Sequence, residues 1–410
     1  QAKEIASKAT GIPPNRMLMS ATHTHTAATA VPLAQCNPDP EFVDHLTAQI
    51  AASVIEAHGN LQAAAIGSGG VEEVSEVSNR RWHVAPEHIT PNPFGRSDDQ
   101  VRTNAPRGSD ILLKPAGPVD PEIGLVSVVD ENGKPLSLLA NYGLHYVGGV
   151  PPFQLSADYF GEFARRVGDK LEAADSFVGI LSNGASGDVN NYNFTNPRPN
   201  AEPMERIKAV AEKIAERTIS VHGKIEHRSS APIRMMERTF DLGVRKPDES
   251  DLAYARKMLA AARNPEKLTM HEVYAQETVR IGESYPDEVN LKLQALRIGE
   301  DLAIVAIPCE VFAEIGLEIK KRSPFKNTFV ISLANGYNGY LPTPEQHELG
   351  GYETWRSGWS YLEVDASMAT TAIFRHLNST NWWLRDLALR LELSGGRCFK
   401  KDHRAVAGDA

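Results

Sequence analysis

The chain has 410 residues, which allows one large domain or two ordinary ones, and its apolar and charged fractions are those of an ordinary globular protein. The net charge of −9 at pH 7 gives no basic footprint for nucleic acid. No apolar run reaches the roughly 18 residues that a membrane span needs. The three cysteines are far apart and odd in number, which argues against a complete disulfide framework.

The chain begins at Gln1 without a methionine and enters a helical pattern at once. It has no basic segment followed by the apolar stretch of a signal peptide. We therefore expect the sequence to be the interior of a longer protein, and the compartment does not follow from it.

The first half of the chain alternates between predicted helices and strands. In chain order, we predict a helix at 2–10, a strand at 17–21, a helix at 40–58, a strand at 63–68 and an alternating segment at 71–81. Residues 82–117 are rich in Pro, Arg, His and Asn and predict a long irregular loop, which in compact domains is usually functional or disordered. Strands at 123–129 and 136–144 should pair as a hairpin across the turn at 130–133.

The second half continues this pattern. We predict a helix from a cap at 156–158 to about 171, a strand at 177–181, a helix at 202–221, a strand at 231–244, a helix at 250–263, paired strands at 291–298 and 302–307, a helix at 311–321, a strand at 329–334, a loop at 342–358 and a helix at 366–376. The fold class is therefore α/β, with a mixed β-sheet core flanked by helices. From residue 377 onward we expect a charged, partly disordered tail.

Several predicted strands end in residues that can bind a metal. His23 and His25 follow the strand at 17–21, His145 follows the one at 136–144, Glu310 follows the one at 302–307, and His347 lies in the loop at 342–358. Two residues apart on an extended chain, His23 and His25 point to the same side. Zinc is held by three or four such ligands. The pattern favours a metal site at strand ends and loops.

Each of these residues also has an ordinary structural explanation. His145 fits a hydrogen-bonded core histidine, and Glu310 fits an acidic residue that favours the first turn of the next helix. His347 fits an exposed loop residue, and Asp188 fits a turn after Gly187. The metal hypothesis rests on their coincidence.

The sequence resembles the neutral, non-lysosomal ceramidase family, which consists of zinc amidases that hydrolyse N-acylsphingosine. The resemblance spans roughly residues 1–376 and runs through six segments in order, namely Ser20-Ala-Thr-His-Thr-His-Thr26, Asn79-Arg80, Asn141-Tyr-Gly-Leu-His145, Ser182-Asn-Gly-Ala-Ser-Gly-Asp-Val-Asn-Asn191, Pro308-Cys-Glu310 and Asn335-Gly-Tyr-Asn-Gly-Tyr340 with the segment to Glu353. It implies one zinc hydrolase catalytic domain at 1–376, truncated at its N-terminus, and a tail at 377–410.

The resemblance also implies roles for individual residues. His23, His145 and Glu310 become zinc ligands, and His347 falls where the family has a ligand tyrosine. Asn190 falls on the family's catalytic serine, so it would act only as an oxyanion donor. The resemblance places His25 next to the ligands or facing the substrate. We expect His25 to shuttle protons, because the pKa of a histidine can lie near the working pH, and Asp188 to orient a histidine. The residues expected to face the substrate are Arg80, Tyr340 and Trp359.

The expected function is zinc-dependent hydrolysis of an amide, with a small-molecule or lipid amide as substrate. A first alternative is a zinc hydrolase of the same family that acts on a different amide or ester, which the polar segment 82–117 would suit. A second alternative is a binding protein that has lost its chemistry, as the changes at Asn190 and Trp359 suggest.

Overall fold

The structure, a computed structural model, describes residues 1–372. Its strands are β1 Ala64–Glu72, β2 Ser78–Asn79, β3 Arg81–Val84, β4 Val101–Thr103, β5 Leu112–Pro115, β6 Glu122–Asp130, β7 Pro135–Tyr142, β8 Val178–Asn183, β9 Val189–Asn190, β10 Ile233–Gly243, β11 Glu288–Ile298, β12 Leu302–Ala306, β13 Glu310–Val311, β14 Asn327–Ile331 and β15 Tyr340–Leu341. Its helices are α1 Ala2–Thr10, α2 Pro40–Gly59, α3 Asp158–Lys170, α4 Glu205–His222, α5 Glu249–Ala260, α6 Met270–Ser284, α7 Ala313–Arg322, α8 Pro344–Leu349 and α9 Ala366–Ala372.

Two four-stranded sheets form the core of the fold. The first has the order β1-β6-β7-β8 and the second the order β10-β11-β12-β14. Each sheet is antiparallel except for its last pair, since β7 and β8 are parallel and so are β12 and β14. The predicted α/β class with mixed sheets is confirmed.

Alternating side chains give each sheet two apolar faces. Val126 of β6 and Ile304 of β12 share a buried cluster with Phe329 of β14, so one face of each sheet packs against the other sheet. Their neighbours Leu125 and Val305 point the opposite way, into clusters shared with the flanking helices. The molecule is therefore a sandwich of two sheets with helices on its outer faces.

Most predicted elements are present, with boundaries shifted by a few residues. Both predicted hairpins exist, as β6–β7 and β11–β12. Helix α6 was not predicted, although Thr269 and Glu272 form a capping box at its start. The predicted loop at 82–117 is wrong in part, because β3, β4 and β5 form a small sheet there. The tail from residue 373 onward lies outside the described residues.

No helix within residues 1–372 has the length and apolar character needed to cross a membrane. Helix α2 has the predicted position, but Ala51 is its one buried residue. Its apolar stripe is therefore covered only in part, by contacts with α1.

Candidate metal site

The candidate site lies where the parallel pairs of both sheets end. The chain leaves β7 at Tyr142 and reaches His145, and it leaves β12 at Ala306 and reaches Glu310. The backbone N–H of Ser332, just after β14, donates to the carbonyl of Asn183 at the end of β8. This bond joins the carboxyl ends of the two sheets, which is where α/β proteins place their sites.

The His23–His25 segment is held against the extension of β14. The N–H of Ala21 donates to Leu333, and the N–H of Asn335 donates to Met19. The strand predicted at 17–21 is wrong, because these contacts amount to a single bridge between Ser20 and Ala334 rather than a ladder. The chain then turns sharply at His23, whose φ of 67° is in the left-handed region that a histidine rarely adopts.

Three histidines and one carboxylate meet at this edge. His23, His25 and His145 bring their ring nitrogens within 4.8 Å of one another. His23 Nε2 lies 3.2 Å from His25 Nε2 and 3.2 Å from Glu310 Oε2. His145 Nε2 lies 3.7 Å from the same Oε2 atom. His23 is therefore the centre of the group.

His145 is oriented by the loop that follows β8, the strand next to β7. Its Nδ1 lies 3.0 Å from the carbonyl oxygen of Ser186, which can only accept a hydrogen bond. The proton is therefore on Nδ1, and the lone pair of Nε2 points at Glu310. Burial lowers the pKa of His145 well below its ordinary value, and the charge of Arg80 lowers it further. The ring is neutral at pH 7, which is the form that binds metals.

Glu310 is held in its ionised form by its neighbours. Burial alone would raise the pKa of this carboxyl, but His23, Arg80 and the hydroxyl of Tyr340 together keep it below its ordinary value. Tyr340 can do this because Glu310 and Tyr340 are paired residues of the parallel strands β13 and β15. Oε1 accepts a hydrogen bond from the hydroxyl of Tyr337 at 3.2 Å.

The other carboxylate oxygen of Glu310 is the sign that a cation belongs here. Oε2 is buried and has no hydrogen-bond donor among the described residues. Ligands on a tetrahedron with bonds of about 2.0–2.1 Å lie about 3.3 Å apart. The separations of Glu310 Oε2 from His23 Nε2 and from His145 Nε2, 3.2 and 3.7 Å, are close to this spacing. The residues present therefore fit a zinc ion.

His25 differs from the other two histidines in its surroundings. It is the most exposed of the three, and its ring stacks on Tyr146 with a centroid distance of 3.7 Å. Loss of hydration lowers its pKa to about 4, with repulsion from His23 as the next cause. A neutral ring with one face on Tyr146 can accept a proton at the edge of the site.

The structure does not bring His347 into this group. Residues 344–349 form helix α8 rather than the predicted loop, and the helix turns Gln346 inward, where its amide oxygen accepts from Arg81. Burial lowers the pKa of His347 to about 3, and the nearby charges are those of Arg245 and Arg81. These two positive charges make the binding of a metal ion at His347 unfavourable. No metal-ligand group within residues 1–372 includes His347.

Asp188 and Asn190 are also engaged elsewhere. Asp188 accepts from the N–H of Ala313 at 2.9 Å and from the amide of Asn79 at 2.7 Å. It therefore anchors the start of α7, and the orienting role expected of it at a histidine belongs to the Ser186 carbonyl. Burial raises the pKa of Asp188 to about 6. The amide of Asn190 donates one of its two hydrogens to Asn104 at 2.6 Å.

The three residues expected at the substrate have different positions. Arg80 is buried, and its guanidinium donates to Glu353, to the carbonyl of Gly187 and to the hydroxyl of Tyr340. Arg80 and Tyr340 therefore support Glu310 from behind. Trp359 is part of the apolar core, where its indole N–H lies 3.3 Å from the hydroxyl of Tyr274, so it does not face the site.

Sequence reasoning missed three residues that contact the site. Tyr337 donates to Glu310, Tyr146 stacks on His25, and Glu353 binds both Arg80 and Arg81. Tyr337 and Glu353 lie in segments that were singled out for their resemblance. No sequence pattern marks Tyr337, which lies six residues after a strand. Its contact with Glu310 is visible only once β13 pairs with β15.

The geometry defines an α/β protein with a buried histidine–carboxylate site of metal-ligand type. Neither a family model nor a curated protein matches the sequence. Solved structures do match it. A ceramidase complexed with C2 superposes with a TM-score of 0.62 at 15% identity, over 91% of this chain and 64% of that one. The neutral ceramidase from Pseudomonas aeruginosa gives a TM-score of 0.59 at 16% identity, over 91% and 63%.

The chain therefore has the fold of these ceramidase structures. It spans about 64% of the length of those chains. The resemblance that the sequence motifs indicate is confirmed at the level of the fold.

Proposed function

We propose that this protein is a zinc-dependent amide hydrolase of the ceramidase type. The observation that carries the proposal is the spacing of His23, His145 and Glu310, together with the buried Oε2 atom that has no donor among residues 1–372. Zinc, when bound, lowers the pKa of a water ligand and polarises a carbonyl. The fold likeness to neutral ceramidases supports the same class of activity.

Each residue of the site has a role in this proposal. His23, His145 and Glu310 would hold the ion, and Arg80 and Tyr340 would keep Glu310 ionised. His25, neutral at pH 7, would accept and return the proton that the leaving amine needs. Its position at the exposed edge of the group suits that role better than the buried His145.

The first experiment is metal analysis of chelator-treated protein after zinc is added back, with hydrolysis of a fluorogenic N-acylsphingosine measured in parallel. We expect about one zinc per chain, as a single catalytic site requires. His145→Ala should lose both zinc and activity, whereas His25→Ala should lose activity and keep zinc. Wild-type protein without zinc, or a His145→Ala variant that retains it, would contradict the proposal.

A second candidate function is hydrolysis of a more polar amide on the same scaffold. It is favoured by one observation, the polar pocket beside Arg80 that is described below. Turnover of polar N-acyl compounds with zinc bound, and none of N-acylsphingosine, would select it. A closed site without turnover of any amide would instead indicate a binding protein. We also propose that residues 1–376 form the catalytic domain, with 377–410 as a tail.

A further inference from the structure

A pocket of about 290 Å³ lies between the small sheet β4-β3-β5 and the segment after α8. Its walls include Arg80, Tyr352, Asp99 and Arg102. None of the residues that the sequence analysis assigned to the metal lines it. The pocket is therefore a separate cavity that shares only Arg80 with the predicted site.

The pocket borders the histidine site through Arg80 and a row of packed aromatic rings. Tyr340, which supports Glu310, makes an edge contact with Tyr352 at a centroid distance of 5.9 Å, and Tyr352 makes another with Trp355 at 6.2 Å. Burial raises the pKa of Tyr352, and the carboxylate of Glu310 raises it further, which places that ring near the candidate ligand. Tyr352 is therefore the part of the pocket wall that lies towards Glu310.

Part of the pocket wall is built from polar groups. One carboxylate oxygen of Asp99 accepts from the indole N–H of Trp355 at 2.9 Å, and burial raises the pKa of this carboxyl. The guanidinium of Arg102 has one acceptor within residues 1–372, the carbonyl of His88 at 3.3 Å. The hydroxyl of Thr90 has no partner in the same part of the chain. Arg102 and Thr90 therefore keep hydrogen-bonding groups available for a ligand, beside the carboxylate of Asp99.

An alkyl chain would be a poor occupant of this pocket. Ile89 and Val101 are its aliphatic residues, and a chain would strip water from Asp99 and Arg102 without replacing their hydrogen bonds. A hydroxyl-rich ring is better matched, because its apolar face can lie on Trp355 while its hydroxyls bond to the carboxylate, the guanidinium and Thr90.

We propose that this pocket binds the amine-side part of the substrate and that this part is a hydroxyl-rich, sugar-like group. The assignment to the amine side rests on the proposed amide hydrolysis, but the binding preference of the pocket does not. The pocket would then select N-acylated amino sugars, or amides of similar polarity, over amides whose amine carries an alkyl chain.

The test is calorimetric titration of the full chain with glucosamine and, separately, with hexylamine, both with and without zinc. We expect glucosamine to bind with or without the metal and hexylamine to bind more weakly. Asp99→Asn should weaken glucosamine binding by about tenfold, and Thr90→Val by about threefold. The matched control is Asp98→Asn, at the neighbouring carboxylate that does not line the pocket, and it should bind as wild type does.

Thr90 is exposed, so Thr90→Val reports on the pocket even where Asp99→Asn disturbs the fold. No binding of glucosamine up to about 10 mM, binding unchanged by both variants, or tighter binding of hexylamine would overturn the inference. Failure of the proposed function is distinct from these results. It would show as absent zinc and no cleavage of either N-acetylglucosamine or N-acetylhexylamine, whichever amine the pocket binds.

Discussion

A single oxygen atom, Oε2 of Glu310, best separates a metal site from a cluster of buried histidines. It is buried between His23 and His145 and has no donor within residues 1–372. The Nε2 atom of His145 offers no proton to it, because the proton of His145 is on Nδ1. An ionised carboxylate in such a place needs a cation for full compensation.

We therefore expect zinc to stabilise the wild-type protein strongly, by about 2.7 kcal/mol at a zinc concentration 100-fold above Kd. Glu310→Gln keeps the shape of the side chain and removes the charge, so zinc should no longer raise Tm. The measurement is a thermal melt with and without zinc. Glu345→Gln, at an exposed glutamate on α8, is the control and should keep the response. An unchanged zinc response in Glu310→Gln would mean that the ion binds elsewhere.

His347 predicts a pH dependence of stability that is independent of the metal. Its folded-state pKa is lowered to about 3 from an ordinary 6.5, so the unfolded chain takes up this proton first as the pH falls. The stability contributed by the neutral ring is complete above pH 6.5 and is lost towards pH 3. At pH 5 the loss is about 2 kcal/mol.

His347→Gln should therefore flatten the fall in the free energy of unfolding between pH 7 and pH 5 by about 2 kcal/mol. Urea unfolding at the two pH values measures this fall in the free energy of unfolding. Taking the difference between the two pH values for each protein separately cancels any effect that the substitution has at pH 7. The same variant should keep its zinc. Loss of zinc would restore His347 as a ligand, and an unaltered pH dependence would show that the ring is hydrated in the folded state.

At the scale of elements, the site depends on how closely the loop after β8 approaches β13. A Cβ atom on Gly187 would lie 2.5 Å from the carbonyl oxygen of Glu310, and the N–H of Gly187 donates to Val311. Only glycine permits this distance, because the obstacle is backbone that cannot rotate away. The glycine thus fixes Glu310 relative to Ser186, the partner of His145.

Gly187→Ala should move β13 and lower both stability and zinc affinity. We expect a cost of about 1–3 kcal/mol, as for other overpacked positions. Gly59→Ala, at the end of α2 where nothing lies within 4 Å of the added atom, should leave both unchanged or slightly raise stability. Chemical unfolding and zinc titration give the two readouts. A Gly187→Ala protein with wild-type zinc affinity would show that the loop yields without moving Glu310.

The elements that the sequence predicted well are those with two contrasting faces. The strands of both hairpins alternate between the inter-sheet cluster and the helix-facing clusters, so their pattern is visible without the fold. The segment 17–21 was wrongly predicted as a strand because its apolar residues are explained equally well by one bridge to Ala334 and packing at α1. Local pattern does not reveal which distant backbone a segment meets.

The same limit applies to the candidate site. His23, His145 and Glu310 follow recognisable strands, and they do meet. His347 and Trp359 lie in the segment 342–358, where the prediction had no regular structure to orient side chains. Helix α8 and the short helical turn at Tyr352–Thr354 orient Gln346 and Glu353 towards the buried Arg81 instead.

At the scale of the whole molecule, the two sheets stabilise each other through their shared apolar face. Phe329 of β14 is buried at that face, and a Cβ atom on Gly124 of β6 would lie 2.6 Å from its ring. The site uses strand ends from both sheets, so its geometry depends on this contact. We therefore expect weaker packing between the sheets to reduce zinc binding only when the sheets separate.

Phe329→Ala should cost about 3–5 kcal/mol, the range for deletion of a buried phenylalanine ring. We expect one cooperative unfolding transition in the variant, with zinc binding retained below it. Comparing the far-ultraviolet melt with zinc release along the same temperature ramp checks this. Release of zinc well before the melt would show that the sheets part, or the site opens, as a separate step.

We propose that a metal ion binds between His23, His145 and Glu310. Anomalous diffraction at the zinc edge, from crystals grown with zinc, locates the ion without reference to activity. We expect one strong peak within bonding distance of the two Nε2 atoms and Glu310 Oε2, with zinc–nitrogen distances of about 2.0–2.1 Å. The absence of a peak there in zinc-loaded crystals, or a peak beside His347 instead, would contradict the claim.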